Sequence, residues 1–83
     1  MPAVKILSAL PAEEIRELLR EVLDELGVDY SESESGFTID SGKITIREAG
    51  KTSLGLTLNE IAIPKGRIAE RFRERLMRKR AGG

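Results

Sequence analysis

The chain has 83 residues, of which 40% are hydrophobic and 34% charged, a balance that supports one small folded core. It contains no Cys and no His, which excludes disulfide frameworks, thiolate and imidazole chemistry, and Cys/His zinc sites. No apolar run is long enough for a membrane span, and the N-terminal residues lack the layout of a signal peptide, so we expect a cytoplasmic location.

The first predicted elements are a short strand at residues 4–7 and an amphipathic helix after it. Ser8 is expected to cap this helix, with Pro11 in its first turn. Apolar residues then recur at steps of three and four, which predicts a continuous buried stripe formed by Ile15, Leu18, Leu19, Val22, Leu23 and Leu26. Gly27 is expected to end the helix in the left-handed conformation.

After the helix the apolar period changes to two, beginning with Val28 and Tyr30, and after an interruption at residues 31–36 it resumes at Phe37, which predicts strands. Residues 37–39 and 44–46 are predicted as strands joined by a two-residue hairpin turn at Ser41 and Gly42. The acidic residues 31–36 before them are predicted as a solvated loop, because two alternate glutamates supply too few ligands for a calcium site.

A fourth strand is predicted from the alternating leucines Leu54, Leu56 and Leu58. The next apolar pair, Ile61 and Ile63, has the opposite parity, which predicts a bulge or a short extra strand near residues 59–60.

A second helix is predicted over residues 67–80, followed by a frayed tail at residues 81–83. Its core-facing residues are expected to be Ile68, Ala69, Phe72 and Leu76. Together the elements predict a single α+β domain over residues 1–83. The expected architecture is a two-layer sandwich of β-α-β-β-β-α order, with an antiparallel four-stranded sheet and both helices packed on one face.

The charges are unevenly distributed although the formal net charge is zero. Residues 65–80 contain eight basic and two acidic side chains, whereas residues 13–60 contain five basic and twelve acidic ones. This asymmetry favours a polyanionic partner, DNA or RNA, or self-association of complementary patches. In the leading hypothesis, nucleic-acid phosphates bind the basic side chains of the second helix, namely Arg67, Arg71, Arg73, Arg75, Arg78, Lys79 and Arg80.

The same basic residues also have a purely structural interpretation. Cations near a helix C-terminus complement the macrodipole, and they can pair with Glu70 and Glu74 at helical spacing. The alternative functional class is a structural or interaction protein: a homo-oligomer joined by acidic and basic helices, or a designed scaffold without natural activity. Binding to anionic lipid is ranked last, because the short apolar stripe is needed for the core.

Catalysis is not expected, because no nucleophile, base or paired-carboxylate arrangement appears in the sequence. We therefore expect a non-catalytic binding module with no cofactor and no metal ion. The chain has no Gln and one Asn, Asn59, within a charge-rich composition. That composition is typical of thermostable proteins and equally of designed sequences.

Overall fold

A computed structural model describes residues 3–81 of the chain, with side chains through position 79. In these residues the elements are β1 (Ala3–Ser8), α1 (Ala12–Glu25), β2 (Tyr30–Ser33), β3 (Gly36–Ile39), β4 (Gly42–Lys51), β5 (Thr57–Pro64) and α2 (Arg67–Ala81). The strands form one antiparallel sheet in the order β1-β5-β4-β3-β2. The predicted α+β class is confirmed, whereas the predicted four-stranded sheet is wrong, because the described residues form five strands.

Helix α1 buries the apolar stripe that its period predicts, with Leu26 half-buried at the end. Its C-terminus is a Schellman motif, since Val28 N donates to Leu23 O at 2.9 Å and Gly27 has φ of +67°. The prediction of a Ser8 cap is wrong. Pro11 is the N-cap, and the Ser8 hydroxyl, at the end of β1, accepts a hydrogen bond from Leu10 N at 3.1 Å.

Strand β2 is the element missing from the predicted order. It pairs with β3 across a two-residue turn, so the predicted loop at residues 31–36 is instead a hairpin. The hairpin closes on Gly36, where an added Cβ would lie 1.9 Å from the backbone oxygen of Ile44. Tyr30 packs edge-on against Phe37 with ring centroids 5.5 Å apart, which fixes β2 at the edge of the sheet.

The turn between β3 and β4 lies one residue earlier than predicted. Ile39 pairs with Gly42, so Asp40 and Ser41 form the turn and Gly42 already belongs to β4. This register keeps the side chains of both strands alternating between the buried and the open face.

The predicted fourth strand is wrong over its first half. Leu54 and Leu56 lie in the loop between β4 and β5, and only Leu58 belongs to a strand. This also explains why the leucines and Ile61 have opposite parity in the sequence. Strand β5 directs Asn59, Ile61 and Ile63 inwards and leaves Leu58 on the open face. The register irregularity lies in β4, between Glu48 and Gly50.

Both helices pack with the inner face of the sheet into one hydrophobic core. The predicted core face of α2 is confirmed: Ala69, Phe72 and Leu76 are buried, and Ile68 is half-buried against them. The buried amide of Asn59 donates to Leu10 O at 3.0 Å, which satisfies this polar group. Of the predicted frayed tail, Ala81 is the last residue of α2, and residues 82–83 lie outside the described part.

Candidate functional site

The candidate site is the charged surface of α2, and its geometry follows from the buried side of the helix. Ala69, Phe72 and Leu76 are buried and define the side of α2 that faces the core. The charged side chains on the other sides of the helix therefore face the neighbouring helix or solvent. The charged side chains therefore divide into one group near α1 and another group directed to solvent.

Glu25, the last residue of α1, joins two arginines of α2. Its Oε2 accepts a hydrogen bond from Arg71 Nε at 2.7 Å, and its Oε1 accepts one from Arg75 Nη2. The hydrogen bonds from Arg75 and then Arg71 lower the pKa of the Glu25 carboxyl, and Glu25 in turn raises the pKa of Arg71. This shared carboxylate connects the two helices from the solvent side.

Two further acids complete this network. Glu74 accepts a hydrogen bond from Arg71 Nη1 at 3.0 Å, and Glu21 lies 3.6 Å from Arg75 Nη1. Both of these acid side chains are about 60% exposed, at 61% and 59%, so water screens their interactions strongly. Arg71 and Arg75 thus hold α2 against α1 in this structure. The structural interpretation of the sequence expects pairs with Glu70 and Glu74 instead, and among the described residues only Glu74 forms one, with Arg71.

The other predicted cations of α2 lie outside this network. Arg67, Arg73, Arg78 and Lys79 are exposed, and within residues 3–81 no acidic oxygen lies within the 4.0 Å ion-pair distance of them. Arg80 belongs to α2 by its backbone, and its side chain lies outside the described atoms.

The four exposed cations occupy different places. Arg67 begins α2 and lines a shallow hollow with Leu26 and Glu70. Arg73 lies on the other side of the helix, in a hollow that Val4 of β1 also lines. Arg78 and Lys79 lie in the last turns of α2. The structure therefore does not bring the seven predicted residues onto a single face.

A second arginine cluster, on α1, was not predicted as a site. Arg16 and Arg20 both donate to the Glu32 carboxylate of β2, at 3.0 Å and 2.9 Å, and Arg16 also donates to Ser33 O at 2.9 Å. Arg20 and then Arg16 lower the pKa of Glu32. The only sequence signal was the four-residue spacing of the two arginines, which places them on one face of the helix.

Glu32 therefore belongs to a clamp between α1 and the β2–β3 hairpin. The Arg16 guanidinium also lies 6.0 Å from the centre of the Phe37 ring, within the range of a cation–π contact. In these contacts the Glu32 carboxylate and the two arginines of α1 are paired with one another within the molecule. The exposed cations considered for binding an external anion are therefore those of α2.

The described residues contain no cluster of three or more acidic side chains arranged to hold a metal ion. Over the same part of the chain, neither helix combines the length and apolar character needed to cross a bilayer. No protein-family model, curated protein or solved structure matches this chain.

Proposed function

We propose that this chain is a small non-catalytic module that binds nucleic-acid phosphates through the C-terminal end of α2. The principal contacts are Arg78 and Lys79. The proposal contains no catalytic step, in keeping with a sequence that lacks Cys and His.

The observation that supports the proposal is the local charge at this end of the helix. Glu74 is the last acidic side chain of the sequence, and Arg78 and Lys79 follow it as exposed cations. Complementing the helix dipole explains why cations are placed here. It does not neutralise them, so their full charges remain available to an external anion.

Phosphates are the anion class that this arrangement suits best. A cation that neutralises a phosphate releases a condensed counterion, so affinity is gained without a shaped pocket. The planar guanidinium of Arg78 adds paired hydrogen bonds to phosphate oxygens, and Lys79 adds a mobile point charge.

The acidic part of the molecule favours one orientation of the domain when a polyanion approaches it. Residues 13–29 carry seven acids and two bases, and the β2–β3 hairpin adds Glu32 and Glu34, so a polyanion is repelled from most of α1 and from that hairpin. Arg71 and Arg75 have a structural part in this proposal, since their ion pairs with Glu25 hold the basic helix in place.

The test is a salt-titrated binding measurement on duplex B-DNA, structured RNA and anionic vesicles in parallel. If Arg78 and Lys79 each neutralise one phosphate, log K against log salt has a slope of about −1.8 on B-DNA. The association constant then falls about 12-fold between about 50 and 200 mM salt. Fluorescence anisotropy of a labelled duplex is sufficient to measure it.

The decisive comparison uses two variants that lose the same charge. Arg78→Gln with Lys79→Gln is expected to abolish the salt-dependent binding. Lys5→Gln with Lys43→Gln removes two exposed cations from the open face of the sheet and is expected to retain most of it. Equal losses in both variants, a flat salt dependence, or binding to vesicles alone would contradict the proposal.

A further inference from the structure

Strand β1 lies at one edge of the sheet, and one side of it has no neighbouring strand. Within residues 3–81 it pairs with β5 alone, in an unbroken register of six residue pairs. Alternate residues of an antiparallel strand direct both N–H and C=O to the same side, so half of the backbone hydrogen-bonding groups of β1 point away from β5. An open edge of this kind is a template for a further strand.

The opposite edge of the sheet is protected in ways that β1 is not. Strand β2 has four residues, and its Glu32 is an inward-facing charge that Arg16 and Arg20 hold against α1. Short edge strands and inward-pointing charges both prevent strand addition. Strand β1 has six residues, contains no proline and directs the apolar Val4 and Ile6 inwards. Of the two edges, β1 is therefore the one suited to accept a strand.

A mainly apolar hollow lies beside this open edge, between β1 and α2. It is lined by Val4 of β1 and by Ala69 and Arg73 of α2, among others. Arg71 and Arg75 face α1, so the side of α2 that lines the hollow is turned away from α1 and lies over the edge of the sheet. An added strand directs alternate side chains to the helix side of the sheet, and the one beside Val4 would enter this hollow.

Cations surround the hollow and the edge strand. Lys65 and Arg73 line the hollow, with Glu70 beside them, and Lys5 lies on the open face of β1. The two lysines and the arginine are exposed, and in the described part of the chain none of these three forms an ion pair. The local charge therefore favours an acidic partner.

We infer that the β1 edge binds an extended segment of a partner protein in which apolar residues alternate with acidic ones. The backbone of the segment pairs with β1, and its apolar side chains face the hollow. Its acidic side chains lie beside Lys5 on the open face, and Lys65 and Arg73 add to the positive potential at the hollow. The inference does not depend on the proposed binding of nucleic acid, because it uses neither Arg78 nor Lys79.

A second copy of the chain fits this edge less well because of Lys5. If two β1 strands paired in antiparallel fashion about Lys5, the two ammonium groups would lie directly opposite each other. If they paired about Ile6, the lysines would lie on the same face at diagonal positions, about 7–8 Å apart. Like charges so placed oppose the pairing, whereas an acidic strand turns the same lysine into an attractive contact.

The probe is a fluorescently labelled, end-capped peptide of about eight residues that alternates Val and Glu, long enough to span the strand. Anisotropy at about 50 mM salt is expected to show saturable binding to the wild-type chain, with a dissociation constant between about 10 µM and 1 mM for so small an interface. A peptide that alternates Val and Lys keeps the apolar residues and reverses the charge, and it should bind at least about 10-fold more weakly.

Backbone methylation tests the strand pairing itself. Two further Val–Glu peptides carry N-methyl groups, one at its valines and the other at its glutamates. Only one of these alternate sets directs its N–H groups to β1, so one peptide is expected to lose binding and the other to retain most of it. Amide chemical shifts of ¹⁵N-labelled protein should change most in β1 and in residues 65–73.

Two protein variants that lose the same charge test the cations. Lys5→Gln with Arg73→Gln is expected to weaken the Val–Glu peptide about 5-fold, as the loss of two exposed ion pairs would. Lys43→Gln with Lys51→Gln is the matched control, since both lysines are exposed on β4, away from the β1 edge, and it should bind like the wild type.

Each of the following outcomes would overturn the inference. The first is the absence of saturable binding up to about 1 mM protein. Others are equal effects of the two methylation patterns, equal losses in the two charge variants, and shift changes centred away from β1. Shifts of β1 that depend on protein concentration without peptide would assign the edge to a second copy instead.

Discussion

Replacing Glu25 with Gln should strengthen nucleic-acid binding. This result would distinguish a basic surface of α2 that binds phosphates from one whose arginines only stabilise the fold. Glu25 is the carboxylate shared by Arg71 and Arg75, and the substitution removes its charge while keeping its size. Among the described residues, Arg71 then retains only Glu74 at 3.0 Å, an exposed and water-screened partner. Arg75 remains directed towards α1 and Glu21.

The expected magnitude follows from the position of Arg71. Arg71 and Arg78 are seven residues apart, so they lie on nearly the same side of the helix, about 10 Å apart along its axis. A released Arg71 therefore adds a third phosphate contact. The slope on B-DNA steepens from about −1.8 to about −2.7, and the loss of affinity between about 50 and 200 mM salt grows from about 12-fold to about 40-fold.

The assay is the same anisotropy titration, with Glu17→Gln as the control. Glu17 is an exposed acid of α1, so this variant has the same change in net charge without releasing an arginine. Thermal unfolding checks that both variants remain folded. If the Glu25→Gln slope equals the wild-type slope, or if the Glu17→Gln slope steepens as much, the reasoning about Arg71 is wrong.

Two predictions concern stability. Gly36→Ala should lower the free energy of unfolding by about 3 kcal/mol, because its Cβ would lie 1.9 Å from Ile44 O. Gly27→Ala should lower it by only about 1–2 kcal/mol, because its cost is that of the left-handed conformation alone. Urea unfolding of the two variants compares these losses, and equal losses would contradict the β3–β4 geometry. Lowering the pH should destabilise the protein through Glu32. Because its arginine partners hold the folded-state pKa below the ordinary value of 4.5, the stabilisation is complete above pH 4.5 and is lost as the pH falls through the folded-state pKa. Melting temperatures measured from about pH 7 to 3 should therefore fall less steeply for Glu32→Gln than for the wild type, and parallel curves would refute the clamp.

The helices were predictable because their signals are local. Six apolar residues at helical spacing and Gly27 define α1, and the stripe centred on Phe72 defines the core face of α2. These patterns depend only on neighbours within a few turns, so the sequence contains the whole signal.

The sheet was harder to predict because its errors arise from contacts distant in sequence. Strand β2 has Tyr30 at its start, but the apolar alternation stops there and Ser and Glu follow. The strand is held by arginines 12 to 17 residues earlier in the chain. The Leu54 segment has the alternation of a strand, but the Thr52 hydroxyl folds it into a loop. Alternation alone did not distinguish these two outcomes.

The candidate site was predictable as a composition and not as a surface. The excess of basic residues in α2 is evident from the sequence, but the acid that holds Arg71 and Arg75 lies 46 and 50 residues away. Only the fold shows that Arg71 and Arg75 are paired with an acidic side chain. The proposed principal contacts with nucleic acid are therefore Arg78 and Lys79.

The most direct test is a titration of ¹⁵N-labelled protein with a short DNA duplex at low salt, followed by amide chemical shifts. The account predicts that the largest changes occur in the last turns of α2, around Arg78 and Lys79, and that the β2–β3 hairpin is unaffected. Changes centred on the hairpin or on the open face of the sheet, or no changes at all, would contradict it.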